Sequence, residues 1–228
     1  MKSIVILLIS IIISGGLFSQ TITKPNFALA THPIVVDEIS LTENSITIKL
    51  TVKNKLAGGE FCANELMYIQ ELNKNRKANL LEVSGIPVCP SSYKFENPGE
   101  ELTFELEFSN FNEIPKYINI IEDCDENCFS IYGVIIDEKM NTDINQGYSY
   151  FKSGNLDFAL ASFRTAAREN AGYPFALLYG HIIEIYALQK NFEKAKKWYQ
   201  FLQSSKFIDK DFVIEQISQK DFFDELSD

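Results

Sequence analysis

The strongest constraint on how this 228-residue chain folds is a change of hydrophobic period near residue 137. Before it, apolar residues alternate. In NSITIKLTVKNK, Ile46, Ile48, Leu50 and Val52 interleave with Thr47, Lys49, Thr51 and Lys53, and in ELTFELEF, Leu102, Phe104, Leu106 and Phe108 interleave with Thr103, Glu105 and Glu107. Period two buries one face of a strand, so both stretches belong to a one-sided antiparallel sheet. Weaker strand patterns over 34–39, 66–72, 79–83, 117–121 and 129–136 bring the number to seven, which predicts a β-sandwich over 33–137. Beyond Thr142 apolar residues recur at helical spacing instead. GNLDFALASFRTA from Gly154 matches KNFEKAKKWYQFL from Lys190 at an offset of 36, aligning Tyr150 with Tyr186, Asn155 with Asn191, Ala159 with Ala195 and Phe163 with Tyr199. A repeat of that length predicts stacked helix pairs over 141–228. Phe207, Phe212, Ile217, Phe222, Phe223 and Leu226 follow as material for one or two closing helices. The boundary at Asp137–Asn141 leaves almost no linker, so the two domains are expected to touch.

Two resemblances sharpen this multi-domain β + α reading. SITIKLTVKN, SGIPVCPSSYKFENPGEELTFELEF and IPKYINIIEDCDENCFSIYGVIID resemble an immunoglobulin-like domain of exported bacterial proteins, a likeness that implies a fold rather than a function. Gly147, Tyr150, Gly154, Ala159, Phe163 and Ala166 have the spacing of a tetratricopeptide repeat, to which the helical half is similar; the second copy departs at Ile183 and Leu202. Pro174 suits the start of that second copy. The resemblance implies a concave face on the first helix of each pair. It places Ile144, Tyr148, Phe151 and Lys152, with Leu177, His181, Glu184 and Ala187, in a groove for a peptide or a partner's helix, Tyr148 and Phe151 being the anchors. Packing of the same residues against the sandwich or the closing helices is the open alternative.

Residues 1–19, with Lys2, two short apolar runs and a small-residue end, have the layout of a signal peptide. Leu17-Phe18-Ser19-Gln20 resembles the cleavage region of exported Gram-negative proteins, so a secreted or periplasmic chain is expected. The apolar run is too short to span a membrane and no second one follows. Cys124 and Cys128 flank a hairpin loop centred at Glu126, and Cys62 and Cys89 flank one centred at Asn75; residues facing each other across a hairpin have a near-constant sum, so Cys62–Cys89 and Cys124–Cys128 are the expected disulfides. Zinc held by the four cysteines and calcium held by Asp123, Asp125 and Glu126 are the rival readings.

The formal charge of −10 disfavours nucleic acid and anionic lipid, while 46% hydrophobic residues exclude a disordered chain. His32 and His181 are the only neutral-pH bases. They fall in different halves, with no nucleophile, metal or nucleotide motif around them. No enzyme activity and no cofactor are therefore expected. The reading is an exported adaptor that binds a protein or peptide; the alternatives are a small-ligand, glycan or calcium binder acting through the sandwich loops, and a structural envelope component.

Overall fold

The computed structural model describes residues 19–72, 74, 76–125, 127–169, 173 and 175–227. Residues 1–18 of the expected signal peptide, Asn75 and Pro174 lie outside these residues. Eleven strands come first: β1 (Gln20–Thr23), β2 (Leu29–Ala30), β3 (Ile34–Leu41), β4 (Ser45–Lys53), β5 (Glu60–Phe61), β6 (Tyr68–Glu71), β7 (Lys77–Ser84), β8 (Tyr93–Lys94), β9 (Glu101–Ser109), β10 (Tyr117–Ile121) and β11 (Ser130–Ile135). Six helices follow: α1 (Glu138–Lys152), α2 (Leu156–Glu169), α3 (Leu177–Leu188), α4 (Phe192–Ser204), α5 (Lys210–Ser218) and α6 (Asp224–Ser227).

Nine strands form one curled antiparallel sheet in the order β1-β3-β4-β9-β7-β6-β10-β11-β2, and β5 pairs separately with β8. The two clearest alternations in the sequence, β4 and β9, are neighbours in its interior. Ile46 faces Phe108, Ile48 faces Leu106 and Leu50 faces Phe104, all buried. Where the sequence led to separate sheets, the hydrogen bonding is continuous. β7 pairs with β6 through 77–79 and with β9 through 80–84, with a register shift between Leu80 and Glu82. A shift of that kind bends a strand and adds twist; Leu81, at the shift, is 61% exposed. The two wings close on one core, in which Ile39, Ile48 and Phe104 of one meet Ile69, Ile118 and Ile131 of the other.

Helix α1 begins four residues before Thr142 because Asp137 caps it, its side chain accepting the Met140 N–H at 2.8 Å. The 36-residue repeat reappears bond for bond in the two helix–helix turns. Gly154 N–H donates to the Phe151 carbonyl and Asn155 N–H to the Tyr150 carbonyl; Lys190 and Asn191 do the same to Ala187 and Tyr186. Gly154 at φ +78° and Lys190 at φ +58° share the left-handed turn position, which suits glycine and strains lysine. In the first pair Gly147 lets the helices approach closely, since a Cβ there would stand 2.7 Å from the Phe163 ring.

The helices pack directly on the sheet. Tyr117 and Ile135 belong to the helical core, together with Ala28. Phe175, between α2 and α3, lies over Gly133 of β11, and Tyr173 meets Tyr117 with ring centres 5.3 Å apart. Asn141 of α1 donates to the Ile135 carbonyl at 2.9 Å and accepts the Asn26 N–H at 2.7 Å. These polar ties fix the orientation that the apolar contact alone leaves free.

Candidate functional site

The residues expected to line a groove do not form an open one. Ile144 is 0% exposed and out of reach of any partner. Tyr148 is half-buried, its hydroxyl 3.0 Å from His181 Nε2 and its ring edge-on to Phe163. His181 stacks on Phe163 with ring centres 5.0 Å apart. Glu184 is paired with Lys220 at 2.7 Å, and Ala187 is buried. The cause is α5, which lies along α3. Val213 fits the notch at Gly180, where a Cβ would come within 2.7 Å of it. What remains is a small cavity of about 150 Å³ that Leu177, His181 and Glu184 share with Val213, Ile217 and Lys220. Phe151 stays half-buried, and only Lys152 of the predicted eight is exposed.

Burial pulls the His181 imidazole below its usual range; Glu184 opposes that shift and Lys220 adds to it. Burial also raises the Tyr148 phenol to about 12. With the folded histidine harder to protonate than the unfolded one, stability is present above the unfolded pKa of about 6.5 and is lost as pH falls through it. The melting temperature should therefore drop more between pH 7.5 and 5.5 in the native chain than in His181→Gln, and thermal melts across that range check this.

A larger hollow lies between α2, α3 and α4. Its volume is about 670 Å³, with Ala161, Arg164, Thr165 and Arg168 of α2 on one side, Trp198 and Phe201 of α4 on the other, and Tyr179 of α3 between them. The Tyr179 ring sits 5.7 Å from Trp198, 5.1 Å from Phe201 and 5.3 Å from Phe207, the last stacked. Phe201 is 45% exposed. The repeat explains both walls. At the offset of 36, Ser162 corresponds to Trp198 and Thr165 to Phe201, so one helix carries small residues where its counterpart carries large rings. Ala195, Tyr199 and Leu202 form the buried stripe of α4, and Trp198 and Phe201 lie one turn apart beside it. Those two aromatics beside the stripe were the available sequence signal, and the expected groove drew attention to the other face.

At the far end of the sheet the disulfides Cys62–Cys89 and Cys124–Cys128 close with Cα separations of 5.3 and 5.7 Å. The hairpin sums reached these pairs by a partly wrong route. β6 and β7 pair at a sum of 147, and near the first disulfide Ala63 and Val88 meet in a parallel bridge, so Cys62 and Cys89 do not extend that hairpin. Both disulfides border a cavity of about 410 Å³ with His32, Phe61, Asn64 and Glu122. Glu122 joins the two stapled segments, one carboxylate oxygen accepting the Asn64 N–H and the other the Phe129 N–H, each at 2.8 Å. Burial raises its pKa against the pull of those two bonds. Among the described residues no three His, Cys, Asp or Glu side chains converge as a metal site; Asp123 and Asp125 are exposed, and Glu126 lies outside the described residues.

Cys124 and Cys128 are 4 residues apart, so opening that short loop with a double serine substitution should cost about 2 kcal/mol. Denaturant unfolding checks it. Disulfides of this kind persist in an oxidising compartment, and no helix among the described residues is long and apolar enough to cross a membrane. No protein family, no curated protein and no solved structure matches the chain.

Proposed function

We propose that the chain is an exported, non-catalytic interaction module, in which an immunoglobulin-like β-sandwich carries a short tetratricopeptide-like array. The contact surface is the aromatic hollow between α2 and α4. One observation carries this reading: Trp198, Phe201 and Tyr179 gather around a cavity of about 670 Å³ open to solvent, and Trp, Tyr and Arg are the residues that dominate binding energy at protein interfaces. The turn geometry repeated at 36 residues supports the array, and the two disulfides support export. The concave-face groove is withdrawn, because the chain's own α5 covers its second repeat. The disulfide-closed chain should retain a protein from the cells that export it, and Trp198→Ala with Phe201→Ala should lose it while the far-ultraviolet spectrum stays unchanged. Retention by that variant would sink the assignment. A second reading, binding of a small polar ligand such as a glycan, is favoured by the cavity between the disulfides; a melting shift with sugars would support it.

A further inference from the structure

We infer that the occupant of the α2–α4 hollow is an acidic peptide segment bearing a bulky apolar side chain; this rests on the reading of the hollow as the contact surface. The charge pattern argues for it. Residues 156–206 carry seven Lys or Arg against four Asp or Glu, in a chain whose net charge is −10. Two of the three arginines of the sequence, Arg164 and Arg168, stand one helical turn apart on the same wall. Arg164 is exposed and has no carboxylate partner among the described residues. Lys197 precedes Trp198 on the opposite helix and is exposed, also without an ion-pair partner among the described residues.

A guanidinium takes a carboxylate through two parallel N–H bonds, a geometry that an ammonium cannot reproduce. The facing wall is apolar and aromatic, so a segment lying in the hollow turns carboxylates toward α2 and its apolar side chain toward Trp198 and Tyr179. An acidic segment is repelled by most of this protein's surface and attracted here. That contrast supplies specificity and encounter rate more than affinity.

Trp198 is the only tryptophan, so its fluorescence reports directly on the hollow. The probes are three pools of nine-residue synthetic peptides. The first has mixed Asp/Glu flanks around Phe or Leu, the second has Lys flanks around the same centres, and the third has acidic flanks around Ala. The first pool should shift the Trp198 emission saturably and the others weakly or not at all. Arg164→Glu should weaken that response about tenfold and Arg164→Gln somewhat less, with 0.5 M salt acting in the same direction. Equal binding of the Lys-flanked pool, or a response indifferent to both Arg164 variants, overturns the acidic partner and leaves the hollow as an apolar contact surface. Silence from every pool, with the fold intact by circular dichroism, overturns both.

Discussion

Asp209→Ala should cost about 3 kcal/mol of stability, because the buried Ala176 N–H and the part-buried Leu177 N–H lose their acceptor and each orphan costs about 1–3 kcal/mol. The N-cap of helix α3 is Ala176, which provides no side-chain cap, and alanine is a poor residue in that role. Asp209 replaces the missing cap from 33 residues downstream. One of its oxygens accepts the Ala176 N–H at 2.7 Å and the other the Leu177 N–H at 3.1 Å. The side chain is 0% exposed, and its charge faces the positive end of the helix. Burial raises its pKa above the usual carboxylate value, while the N–H bonds from Ala176 and Leu177 act to lower it. With the folded pKa above the unfolded one, Asp209 contributes most below its unfolded pKa and less as pH rises through the folded value. The deficit of the alanine variant should therefore be larger at pH 4 than at pH 7. Asp209→Asn keeps one acceptor and should lose about half as much. Denaturant unfolding of the three chains at both pH values checks the order.

Phe175→Ala should be comparably damaging, at about 3–5 kcal/mol, the usual range for removing a buried phenylalanine that leaves a cavity. Phe175 is 1% exposed and is the knob by which the α2–α3 connection grips the sheet. Its socket is Gly133, whose backbone at φ +69° brings it so close that a Cβ would meet the ring at 2.7 Å. The same position receives the Gly133 N–H to Asn119 Oδ1 bond of 2.9 Å, so β11 has little freedom to follow a smaller side chain. Loss of this contact should also split the melt, the helical half unfolding before the sheet, because the Phe175 region joins the two cores. A single transition with a deficit under 1 kcal/mol would show that the halves are held by other contacts.

The parts of this fold that were legible are those in which burial imposes a period. β4 and β9 lie side by side in the interior of the sheet, and each carries an unbroken alternation that names both the strand and its inner face. β2, β5 and β8 are two residues each, too short to show any period. The helix pairs were legible because a 36-residue shift brings Tyr150 onto Tyr186, Asn155 onto Asn191 and Ala159 onto Ala195. The cap of α3 was not, since nothing in the sequence near residue 176 points to Asp209. In the closing segment Phe212 was expected to cover the last repeat, yet it is 43% exposed while Val213 is buried against Gly180. Hydrophobicity there named a helix without naming its inner face. At the concave face both readings, open groove and packing against the closing helices, fit the repeat pattern; α5 occupies the second repeat's share of that face through Val213 and Ile217, which the spacing of the repeat does not specify.

The most direct measurement of where a partner binds is photo-crosslinking, with benzoylphenylalanine placed either at Phe201, on the wall of the α2–α4 hollow, or at Lys152, the exposed member of the concave-face set. Irradiated in the cells that produce the chain, the Phe201 probe should give a discrete adduct and the Lys152 probe none. An adduct at Lys152 with nothing at Phe201 would contradict the account.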